Sequence, residues 1–147
     1  EPAAFVKKAA QDGMTEVEAG KVALSKSQDP SVRSFAQRMV DDHSRANAEL
    51  ASIAKAKGIE VPKELDPEHQ TMVDTLSAKT GSEFDREYSQ HMNMDHHKAI
   101  ALFEGASRSS DADLAKFARK TLPTFKQHKQ LAEKLPGKTA STPSSGE

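Results

Sequence analysis

Cysteine is absent from this chain, and so is tryptophan. Without thiols there is no disulfide framework, no thiolate nucleophile and no thiolate metal site, although the compartment stays open because a chain of this size folds without bridges. No apolar run approaches the ~20 residues that a membrane-spanning helix needs. An excess of one charge is lacking too: 21 basic and 22 acidic side chains are interspersed and leave a formal net charge of −1, so nucleic acid is not an expected partner. The opening Glu1-Pro-Ala-Ala-Phe has no initiator methionine and neither the basic nor the apolar region of a signal peptide, which suits a mature form whose export signal has been removed. With 147 residues the chain can build one domain with a real core.

What is present is helical periodicity. From about Ala3 to Ser27, Val6, Ala10, Gly13, Val17, Gly20 and Leu24 recur three and four residues apart, one face of an amphipathic helix. Gly13 and Gly20 each cost about 1 kcal/mol relative to alanine inside a helix, so they mark places where a neighbouring helix packs close. Asp29-Pro30 opens a second helix, the aspartate capping and the proline taking the first helical position. That helix runs to about Lys57 with Val32, Phe35, Met39, His43, Ala46, Leu50 and Ile53 along its stripe, and Gly58 ends it.

Residues Ile59 to Gly81 read as a long connection with one short helix around Glu68 to Ala78. It is too long for a plain turn and long enough to travel the length of a bundle. The third long helix spans about Ser82 to Ser109, with Ser82 as its cap. The fourth follows Asp111 and reaches about Leu135, carrying Leu114, Phe117, Ala118, Phe125, His128 and Ala132 inward, with a kink expected at Pro123. The expected fold is all-α: one four-helix bundle domain over 1–136, then a disordered polar tail over 137–147.

Chemistry concentrates in His91-Met-Asn-Met-Asp-His-His-Lys98, which holds three of the six histidines and two of the five methionines. Positions three and four apart share a helix face, so His91 pairs with Asp95 and Met92 with His96, beside the apolar stripe of Phe84, Tyr88, Leu102 and Phe103. Met39-Val-Asp-Asp-His43 repeats the methionine, aspartate and histidine offsets of Met92-Asn-Met-Asp-His96. Glu16, His43, Asp95 with His96, and His128 each fall near the middle of their helix, so an aligned bundle brings them to one level, where bundle cores hold metals. Each taken singly also has a plain reading: a core histidine bonded to a neighbour, a boundary carboxylate, a packing methionine. His69 and His97 are expected to face solvent.

Imidazole with carboxylate suits zinc, iron, manganese or copper, and adjacent thioethers favour reduced copper. The Glu-x-x-His motif of a di-iron centre is missing, so copper or zinc is expected ahead of iron.

The set Glu16-Val-Glu-Ala-Gly20, Phe35-Ala-Gln-Arg-Met-Val-Asp-Asp-His43, Gly81-Ser-Glu-Phe-Asp-Arg-Glu-Tyr88, Asp95-His96 followed by Lys98, and Thr121-Leu-Pro with His128 resembles a bacterial family of ferritin-like domains of unknown function. Its members are often labelled outer-membrane or exported proteins, and the match runs from about Phe5 to Leu135. The resemblance implies a ferritin-like bundle, export to the periplasm or cell envelope, and a metal-binding role. The family-like polar positions are Glu16, Asp42, His43, Asp95, His96 and His128.

These readings converge on an exported, non-catalytic bundle that sequesters, buffers or senses a transition metal. Glu16, His43, His96 and His128 form the core set, with Asp95, His91 and Met92 as inner or supporting groups. The alternatives are a metal-dependent redox enzyme on the same site, and a structural or stress-related interaction bundle whose histidines only bond one another. A homo-oligomer remains open.

Overall fold

A computed structural model describes residues 1–137. Among them are five helices, α1 (Pro2–Lys26), α2 (Pro30–Ala56), α3 (Pro67–Ser77), α4 (Gly81–Ala106) and α5 (Ala112–Ala132), and no strand. The expected polar tail lies, from residue 138 onward, outside the described residues.

Most boundaries follow local chemistry. Asp29 accepts from the amides of Ser31 and Val32, Asp66 from that of His69, and Asp111 from those of Asp113 and Leu114, so three helices begin on an aspartate that satisfies otherwise orphaned N–H groups. Gly58, at φ 72°, follows the end of α2 in the left-handed region that favours glycine. The start of α4 differs from expectation: Thr80, not Ser82, occupies the cap position, and its side chain makes no capping bond. The helix α5 runs on past Pro123 as expected, since the proline removes only one N–H from the ladder.

The helices α1 and α2 pack closely because α1 presents glycine to its neighbour. A Cβ at Gly20 would lie 2.9 Å from Val40 Cγ2 and 3.1 Å from the Ala36 carbonyl oxygen, and one at Gly13 would lie 2.0 Å from Asn47 Oδ1. In turn α2 packs on α5, α5 on α4, and α4 on α1. The connection is fastened along α1: the Gln11 side-chain amide donates to the Glu64 carbonyl and accepts from the Asp66 amide, both at 3.0 Å. His69, expected in solvent, is instead half-buried, its ring 2.7 Å from Asp66 and 3.3 Å from Asp12.

Two apolar clusters fill the interior. One gathers Ala19 and Ala23 of α1, Val32, Phe35 and Met39 of α2, Phe84, Tyr88 and Met92 of α4, and Ala132 of α5. The other takes the opposite halves of the same helices: Val6 and Ala10, Leu50 and Ala54, Phe103 and Ala106, Leu114 and Phe125. The early halves of α2 and α4 share one cluster and their late halves the other, so these two helices run the same way, and α1 and α5 run against them. The segment from Ile59 to Thr80 therefore traverses the length of the molecule. Between the clusters lie three histidines.

Candidate metal centre

The stripe positions of α2, α4 and α5 carry His43, His96 and His128 into the interior, where they are 3%, 1% and 0% exposed. Their ring centroids are 5.6 Å apart for His43 and His96 and 5.2 Å for each of the other two pairs. One ring nitrogen from each lies within 4.8 Å of the other two. Phe125 stacks on His43 at 5.1 Å, and Phe35 meets the edge of His96 at 6.3 Å, so apolar rings hold the imidazoles in place.

The hydrogen bonds assign the protons. His96 Nδ1 is 2.9 Å from the Met92 carbonyl, which can only accept, so Nδ1 carries the hydrogen and Nε2 bears a lone pair. His128 Nε2 is 2.8 Å from Asp42 Oδ2 and donates to that carboxylate, which leaves the lone pair on Nδ1. Those two lone pairs face each other at 3.2 Å. His43 Nε2 is buried with no hydrogen-bond partner among the described residues. One nitrogen of each ring thus converges on the others, and His96 and His128 have no proton left to share between them.

Adding a proton is opposed by the surroundings. Burial first, then the neighbouring His96 and His128, hold His43 well below the usual imidazole range. Burial and His128 bring His96 down to about 3 against the pull of the Met92 carbonyl. His128 is also lowered, because burial outweighs the Asp42 carboxylate, so the contact with Asp42 is a hydrogen bond of a neutral ring rather than an ion pair. Arg45 holds Asp42 from its other side.

A cation accepts what a proton cannot. With zinc–nitrogen bonds of about 2.0–2.1 Å, tetrahedral geometry puts ligand nitrogens roughly 3.3 Å apart, close to the 3.2 Å between His96 and His128. The backing of two rings by a carbonyl and a carboxylate is also the arrangement that orients metal-bound histidines.

The other expected residues sit around this group rather than in it. Glu16 of α1 is 4% exposed, and its Oε1 has no hydrogen-bond partner among the described residues. Burial, with the Asp95 carboxyl and then Asp12 beside it, raises Glu16 well above the usual carboxylate range. Asp95 and His91 line the same cavity as Glu16. Burial raises Asp95, and His91 opposes the shift. The side chain of Met92 packs in the first apolar cluster, and its backbone carbonyl is what touches the site. Asp42, named by the family resemblance as a polar position but left out of the expected core and supporting sets, is the added contact. The signal was the Asp-His pair of α2, whose aspartate reaches across to His128.

A family model described as "Domain of unknown function (DUF4142)" matches residues 1–135. The chain belongs to the DUF4142 family. Among solved structures, this DUF4142 domain is similar to the crystal structure of a DUF305 fragment from Deinococcus radiodurans, with a TM-score of 0.79 and 18% identity over 90% of this chain and 92% of that one. At that identity the likeness is one of fold. No curated protein matches the DUF4142 chain.

Proposed function

We propose that the chain is a transition-metal-binding four-helix bundle of ferritin-like arrangement, which sequesters, buffers or senses a metal ion without catalysing a reaction on it. The observation that carries this reading is the 3.2 Å approach of His96 Nε2 to His128 Nδ1, two lone pairs held face to face beside the unpartnered His43 Nε2. His43, His96 and His128 are the ligands. Asp42 and the Met92 carbonyl orient two of them, and Glu16, Asp95 and His91 stand by on the cavity side. Three imidazoles with no thioether among them suit zinc or copper. The ferritin-like arrangement is supported by the shared direction of α2 and α4 and by the long connection that this direction demands. Residence in the periplasm or cell envelope rests on the sequence resemblance alone, and its test is fractionation of the native host.

The competing reading has the histidines bonding only one another. It needs a proton between His96 and His128 that burial disfavours, and it leaves His43 Nε2 unsatisfied.

Metal analysis of untagged, natively produced protein tests the proposal. One zinc or copper per chain is expected, lost in both His43→Ala and His128→Ala. Full metal content in both variants, or none in the parent protein, ends it.

A further inference from the structure

The three histidines are not sealed on all sides. His128 faces Asp42 through its outer nitrogen, whereas His43 and His96 also form part of the wall of a cavity of about 770 Å³. The volume falls in the range of small-molecule sites, roughly 300–1,000 Å³. Phe103, Phe117 and Phe125 give the cavity an apolar side, and Lys98 and Asp12 are among its charged lining. Glu16 lines it too, and among the described residues its buried Oε1 has no hydrogen-bond partner.

A closed zinc site takes four ligands from the protein, and one that works on a substrate keeps a position free. Among the described residues the donor group here stops at three nitrogens. The fourth position of a tetrahedral ion must be filled from somewhere, and the cavity is the open space that His43 and His96 share.

We propose that the three-histidine centre keeps its fourth coordination position exposed to this cavity, where small exogenous ligands such as hydroxide or azide-sized anions bind the ion, with the Glu16 carboxyl on the same cavity as their hydrogen-bonding partner. This rests on the metal reading above. It separates the centre from a purely structural metal site, because a molecule entering the cavity reaches the ion directly.

Cobalt(II) is the probe, since its visible d–d bands report coordination number and ligand type. The full chain is stripped with chelator, loaded with cobalt(II) and titrated with sodium azide, with cobalt content measured before and after. The expected result is a saturable one-to-one change in the visible bands with cobalt retained, and binding about tenfold weaker in Leu102→Trp, which fills part of the cavity at unchanged cobalt content. Bands that azide leaves unmoved while cobalt stays bound overturn the open position and spare the metal centre. Loss of cobalt to azide overturns the open position as well. A chain that refuses cobalt but holds zinc or copper as purified overturns the open tetrahedral position and spares the metal centre, whereas one that takes up no cobalt and holds neither metal removes the metal reading and this inference with it.

Discussion

His96 Nε2 and His128 Nδ1 stand 3.2 Å apart with no hydrogen to share, because each ring spends its own proton on the opposite side. His96 gives its proton to the Met92 carbonyl and His128 gives its proton to Asp42. That opposition of lone pairs is kept in place by groups on the far side of each ring.

Asp42 sets which nitrogen of His128 faces inward, so Asp42→Asn is expected to weaken metal binding by about 10–100-fold. Competition with a chromophoric chelator measures the loss. The fold should survive, because the Asp42 side chain is 18% exposed and lies at the edge of the core.

Met92→Leu is expected to leave metal content unchanged, since the carbonyl that holds His96 belongs to the backbone. The swap conserves volume, so it should cost less than about 1.5 kcal/mol. A variant that loses its metal yet unfolds like the parent in urea would restore the thioether as a ligand.

The histidines make metal-free stability depend on pH. An unfolded histidine takes up a proton below about 6.5, whereas folded His96 waits until about 3. As pH falls from 6.5 towards 3, the unfolded chain therefore gains protons that the folded chain refuses, and stability drops by up to ~1.4 kcal/mol per pH unit for this residue. Urea unfolding of chelator-treated protein beside His96→Gln isolates the effect: the parent should lose ground to the variant on acidification. Parallel curves from pH 7 to pH 5 would mean that folded His96 takes up its proton as readily as an unfolded histidine.

Glu16 works in the opposite direction. Its folded pKa is raised by burial and by Asp95 and Asp12, so above the ordinary value of 4.5 the unfolded chain ionises while the folded one resists. Glu16→Gln is accordingly expected to raise thermal stability at pH 7 and to bring no gain at pH 4, where the unfolded carboxyl is mostly protonated. Equal effects at the two pH values would contradict the raised pKa.

Gly20→Ala tests the seam between α1 and α2. Alanine would gain about 1 kcal/mol of helix propensity, but its Cβ meets the Ala36 carbonyl oxygen at 3.1 Å, a backbone atom that cannot swing aside. A net loss of about 1–2 kcal/mol in urea unfolding is expected. A stabilised variant would mean that the helices have room to part.

Period, caps and inward positions were legible from local patterns. Val32, Phe35, Met39 and His43 repeat at helical spacing, and Asp29-Pro30 and Asp111 announce helix starts, because periodicity and capping act within a turn or two of chain. The common level of His43, His96 and His128 was legible as well, since mid-helix residues of aligned helices meet wherever the helices point. Thr80 in place of Ser82 at the start of α4 was not, because capping candidates lie close together.

The sequence by itself determined the helices, their buried faces and the residue types that reach the interior, all consequences of side chains three and four apart sharing one side of a helix. Only the tertiary structure decided that Asp42 turns to His128 across 86 positions of chain, that Met92 offers its carbonyl while its thioether packs away, and that Glu16 joins a cavity wall instead of the nitrogen group. Those outcomes depend on the rotation and separation of whole helices, set by Gly13, Gly20 and the two apolar clusters together. No local pattern in the chain encodes them.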